Sequence, residues 1–79
     1  MTTGWLKCDV QPGMFSTEVA VTVHSESGAV LKCFVPSDEV RDNEVRVRVK
    51  NGGKRYFVML PTSYPHETFA VKKEDLVEA

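Results

Sequence analysis

Cys8, His24, Cys33 and His66 are the residue types in this chain that suit a metal or a covalent nucleophile. Zinc sites are nucleated by at least one close pair of ligands, whereas the successive gaps here are 16, 9 and 33 residues, so no metal is expected. A Cys–His nucleophile needs an exposed thiol beside an imidazole. Cys8 and Cys33 fall on the inward positions of alternating runs and His24 on an outward one, so the parity opposes that chemistry. Both cysteines are expected to act as small hydrophobes. Whether they pair depends on which strands are neighbours, and spacing does not decide it. His66 falls in a loop. Three acid clusters, Asp38-Glu39, Asp42 with Glu44, and Glu74-Asp75, lie at turns, where carboxylates are solvated. Paired-carboxylate catalysis needs a cleft and a raised pKa. Gly-x-Ser-x-Gly, a phosphate-binding glycine loop and His-Glu-x-x-His are missing from the sequence. Neither an enzyme nor a cofactor is expected.

Charge is the most informative feature. Lys and Arg total 10 against 11 Asp and Glu, a net charge of -1 that hides a strong segregation. Residues 41–55 hold six cations, Arg41, Arg46, Arg48, Lys50, Lys54 and Arg55, against Asp42 and Glu44. Both flanks are acidic. In 44–50 the valines Val45, Val47 and Val49 alternate with Arg46, Arg48 and Lys50, which places the three cations on one face of a strand. If Asn51-Gly52 forms a two-residue turn, Arg48 lies across from Arg55 and Arg46 across from Phe57. Facing arginines destabilise, so that register needs an acid or an external anion. The candidate binding face is therefore Arg46, Arg48, Lys50, Lys54 and Arg55 with Tyr56 or Phe57 beside it. Such a ribbon binds an acidic protein surface, or phosphates with a stacked base. A solvated face that protects an edge strand is the plainer reading.

These side chains need a scaffold, and the apolar period is two nearly everywhere. The inward sets are Leu6-Cys8-Val10, Val19-Val21-Val23, Leu31-Cys33-Val35, Val45-Val47-Val49, Tyr56-Val58-Leu60 and Phe69-Val71. This predicts six strands, near 5–10, 17–24, 29–35, 44–50, 54–60 and 69–73. Turns fall at Pro12-Gly13, Ser25–Gly28, Asn51-Gly52 and Pro61–Pro65. Pro36–Val40 reads as one helical turn with Ser37 as its cap, and the tail from Lys72 as a second. The segments Val35–Val40 and Val71–Leu76 share one apolar and acidic pattern and read as two strand-to-turn junctions. No stretch of 12 or more residues has a helical period. A domain of 79 residues has one thin core, so the strands must curl into an all-β, five- to six-stranded antiparallel small barrel.

Phe34-Val35-Pro36-Ser37-Asp38-Glu39-Val40, set among such strands, resembles the strand-to-single-turn junction of Src-homology-three-like barrels. The resemblance is architectural and covers most of residues 4–77. In that family the junction usually precedes the last strand, and here it is mid-chain. Proline-peptide-binding members carry an Ala-Leu-Tyr-Asp-Tyr-type segment and a central tryptophan pair. This chain has only Trp5, so the resemblance implies the barrel and no binding residues.

Two loops hold large apolar side chains. Met14 and Phe15 are read as a lid over an open barrel end, with an anchor for a partner as the alternative. Tyr64 and Pro65 either cover the core edge or join Trp5 in a groove for an extended peptide. Trp5, Met14, Phe15 and Tyr64 thus form a second candidate patch. No run of about 18 apolar residues and no signal-like start occurs, and two cysteines are few for a secreted scaffold. The expectation is a single cytoplasmic domain, monomer or homodimer. Its expected role is a non-enzymatic interaction module for a protein or other anionic partner. A nucleic-acid-binding small barrel and an accessory or regulatory subunit of an enzyme are the alternatives.

Overall fold

A computed structural model describes residues 2–13, 15–61 and 68–78. The strands are β1 (Thr2–Lys7), β2 (Asp9–Pro12), β3 (Glu18–His24), β4 (Val30–Pro36), β5 (Val40–Arg41), β6 (Glu44–Asn51), β7 (Tyr56–Met59), β8 (Thr68–Val71) and β9 (Leu76–Glu78). Two 3₁₀ turns, Ser37–Glu39 and Lys73–Asp75, precede β5 and β9. The larger sheet runs β8-β7-β6-β1-β9, with β5 also on β6; the smaller runs β2-β3-β4. All pairings are antiparallel, and the fold is a small all-β half-barrel. No helix among the described residues is long and apolar enough to cross a membrane.

Period-two alternation is what forms these strands. Leu6, Val21, Val23, Val35, Val45, Val47, Val49, Val58 and Val71 are buried, with Cys8, in one cluster shared by both sheets. Each β-branched side chain suits a pleated surface and gains about 1.5–3 kcal/mol on burial. Val10, Val19, Leu31, Cys33, Tyr56, Leu60 and Phe69 pack partly buried around it, so every expected inward set reaches the core. The first expected strand is broken at Cys8, where the chain passes from the larger sheet to the smaller, and the Cys8 amide donates to the Asn43 carbonyl at 2.9 Å. The Glu26 amide, in the β3–β4 turn, donates to the Ala70 carbonyl of β8 at 2.8 Å and ties the two sheets together.

Both similar sequence segments form a strand, a 3₁₀ turn and a short strand. Ser37 lies inside the first turn, and no side chain caps it, which corrects the expected cap. β6 is the frame of the larger sheet. β1 runs along one of its edges, while β5 takes Glu44 and Val45 and β7 takes Arg48–Asn51 on the other. Gly4 of β1 sits between β6 and β9, where a β-carbon would stand 2.9 Å from the Val77 carbonyl oxygen and 3.0 Å from Val49 Cγ2. Only glycine admits that approach.

The hairpin turns correct the sequence reading. Asn51 faces Tyr56, so Asn51-Gly52 is not a two-residue turn but opens a four-residue loop, residues 52–55. The Asn51 Oδ1 accepts from the Gly53 amide at 2.9 Å, an Asx turn, and Gly53 takes a φ of 87°. The tighter register would set Lys54 beside Val49 on the inner face; the longer loop sets Val58 there instead. Burial outweighs the turn signal. The two-residue turn is Asp42-Asn43, between β5 and β6, with φ of 41° and 63°. Positive φ at both centres matches the twist of a hairpin, and Asp and Asn tolerate it.

Candidate functional site

β6 carries Arg46, Arg48 and Lys50 on the outer face of the larger sheet, all exposed as alternation requires. Arg46 lies opposite Trp5 on β1. Arg48 lies between Thr3 of β1 and Met59 of β7, and Lys50 faces Phe57. The observed register therefore removes the expected Arg48–Arg55 and Arg46–Phe57 facings. Arg55 lies in the 52–55 loop, where its Nε is 3.6 Å from Glu26 Oε2, and Lys54 is exposed in the same loop. Gly52 lies under the Phe57 ring, with a β-carbon position 2.9 Å from Phe57 Cε2. A side chain there would lift the ring off the loop.

Much of the charge is matched within the molecule. Arg46 Nε is 3.3 Å from Glu39 Oε2, at the end of the first 3₁₀ turn, and Arg41 Nε is 3.4 Å from Glu44 Oε1. Both guanidinium groups also stand over the Trp5 ring, at 3.9 Å for Arg41 and 5.6 Å for Arg46. Each exposed ion pair contributes about 0–1 kcal/mol, and each exposed cation–π contact about 0.5–1 kcal/mol. Arg48, Lys50 and Lys54 have no carboxylate within 4.0 Å among the described residues. Sequence reasoning missed Arg41 and Glu39 as members of this face. Their involvement depends on the Asp42-Asn43 turn, which folds residues 39–41 back along β6.

Arg48 borders an open cleft of about 460 Å³ with Thr3, Glu39, Arg46, Met59 and Pro61. One wall is charged and the other apolar. Guanidinium groups take carboxylates through two parallel hydrogen bonds, so this cleft suits an anionic group carried next to an apolar one.

Of the loop patch, Trp5 and Phe15 are among the described residues. Trp5 is a half-buried member of the β6 face, under Arg41. Phe15 is 67% exposed and flanks a shallow groove with Pro12 and Val19, so it is not tucked in as a lid. Met14, Tyr64 and His66 lie outside the described residues.

Cys8 and His24 line one open cleft of about 380 Å³ with Asp9, Lys72 and Asp75. The thiol is nevertheless set against nucleophilic use. Burial first, then the nearby Asp9, pushes its pKa up to about 11, and burial also raises that of Cys33. Both cysteines are unbridged. No three His, Cys, Asp or Glu side chains gather as a metal site would require among the described residues.

Compared with known protein families, curated proteins and solved structures, the chain matches none.

Proposed function

We propose that this protein is a non-enzymatic interaction module, Src-homology-three-like in layout, that binds an acidic segment of another protein across the outer face of the larger sheet. The observation that carries the reading is the contrast among its arginines. Arg41, Arg46 and Arg55 each have a carboxylate within the molecule, whereas Arg48 stands exposed at a cleft beside Met59 and Pro61 with none among the described residues. An extended segment presents alternate side chains to one surface. A partner carboxylate on Arg48, with an apolar residue two positions along on Met59, fills both walls of the cleft. Glu39 and Glu44 stand on the same face and the chain has a net charge of -1, which disfavours a polyphosphate. The layout is supported by the second 3₁₀ turn, which precedes the last strand, β9, as the family's junction does. The unbridged thiols fit a reducing cytoplasmic setting.

The test titrates the isotopically labelled protein with a peptide built on a glutamate–serine–leucine core and, in parallel, with a single-stranded oligonucleotide. Peptide binding should shift the resonances of Arg48, Met59 and Trp5, and should weaken as salt rises from about 50 to about 200 mM. Arg48→Glu should cost at least about tenfold in affinity, or about 1.4 kcal/mol, with an unchanged thermal midpoint. Absence of peptide binding at low salt refutes the reading, and tighter binding of the oligonucleotide assigns the surface to nucleic acid.

A further inference from the structure

Among the described residues, the end strands of the two sheets are managed differently. β2 has four residues and ends in Pro12, β8 has four and β9 has three. β4 has seven, pairs with β3 without a bulge from Val30 to Pro36, and carries a single charge, Lys32. Its proline comes only at its last position. Among the described residues its backbone hydrogen-bonds to β3 and to nothing else. Its outward side chains Val30 and Phe34 are 56% and 51% exposed. A long, unbulged and nearly uncharged edge is a template for another strand, and monomeric proteins normally blunt such edges.

We propose that β4 pairs antiparallel with β4 of a second copy, about a twofold axis at Cys33, joining the two smaller sheets into one. A twofold contact must be self-complementary, and the β4 sequence is so in this register. Lys32 of each copy faces Phe34 of the other, and Val30 faces Pro36. The aliphatic stem of Lys32 lies along the facing ring, with its ammonium at the rim. An axis at Lys32 sets two ammonium groups opposite each other, which is unfavourable. An axis at Phe34 leaves Val30 without a facing residue in the strand. The pairing is independent of the Arg48 cleft, which is on the other sheet.

Sedimentation equilibrium over a dilution series tests this. The mass should rise from 8.8 kDa toward twice that value as concentration increases. Phe34→Lys places a like charge opposite Lys32 in both halves of the contact and should weaken dimerisation at least tenfold. Adding Lys32→Glu to that variant makes the facing charges opposite and should restore the dimer. Arg48→Glu should leave the dimer intact. A wild-type protein of monomer mass throughout, or a Phe34→Lys variant that dimerises as well as the wild type, overturns the proposal. So does a double variant no tighter than the single one. Should Phe34→Lys fail to fold, hydrogen exchange of the wild type decides. Protection of β4 amides that is lost on dilution supports the pairing, and protection indifferent to dilution refutes it.

Discussion

The outer faces of the two sheets stand over the same valine core and look nothing alike. On β6 of the larger sheet the positions that alternate with valines are Arg46, Arg48 and Lys50; on β3 of the smaller they are Ala20, Thr22 and His24. Across the larger face Trp5, Phe57 and Met59 lie beside the cations. Across the smaller one, Gln11, Ala20 and Phe34 form one row and Asp9, Thr22 and Lys32 the next. One alternation rule thus builds both sheets and says nothing about what either presents to solvent. The larger face also satisfies part of its own charge, through Glu39 and Glu44, and leaves Arg48 and Lys50 without a carboxylate among the described residues. The smaller face has no such cluster, and its distinctive feature is an edge.

The difference can be broken at its base. Gly4→Ala presses a β-carbon into the Val77 carbonyl and should cost roughly 3 kcal/mol in urea denaturation. Thr22→Ala, on the outer face of the smaller sheet, should cost under about 1 kcal/mol. Equal costs would mean that the larger sheet is no more tightly constrained than the smaller.

The joint between the sheets is the next place to press. The Cys8 thiol titrates near 11 in the fold against an ordinary 9.0, so the folded state holds its proton more tightly. Its contribution is complete below about pH 9, where both states are protonated. It is lost as pH rises toward 11, because the unfolded thiol ionises first, by about 2 to 3 kcal/mol in all. Stability measured across that window should fall less steeply for Cys8→Ala than for the wild type. Parallel slopes would show that burial at the joint does not hold the proton.

The smallest effect sharpens the contrast between the faces. Glu39→Gln releases Arg46 and should raise affinity for the acidic peptide a few-fold, at under about 1 kcal/mol of stability. Lys32→Glu on the smaller face should leave that affinity unchanged. An effect of Lys32→Glu equal to that of Arg48→Glu would show overall charge, and not one face, to be what the peptide reads.

Valine alternation made the core legible, because burial on one side of a pleat is a local pattern. The outward placement of Arg46, Arg48 and Lys50 was legible for the same reason. What escaped is register, which depends on residues far apart. Asn51-Gly52 is a strong turn signal, yet it lost to the burial of Val58 opposite Val49. Asp42-Asn43, a weaker-looking pair, makes the tight turn and brings Glu39 and Arg41 to Trp5. Trp5 reads from the sequence as a groove residue beside Tyr64 and Pro65, in one patch with Met14 and Phe15. Strand parity puts Trp5 on the sheet, and Phe15 belongs to the β2–β3 loop.

β1 pairs only with strands remote in sequence: Thr2 lies opposite Val49, and Gly4 opposite Glu78. The smaller sheet needs only successive hairpins. Because distant closures cost chain entropy before contacts repay it, β2-β3-β4 should assemble early and β1 should dock late. On the ribosome, β1 emerges before β6 and β9 and waits for both. During that wait its edge lies open to whatever chaperone or neighbouring chain arrives before its own last strand.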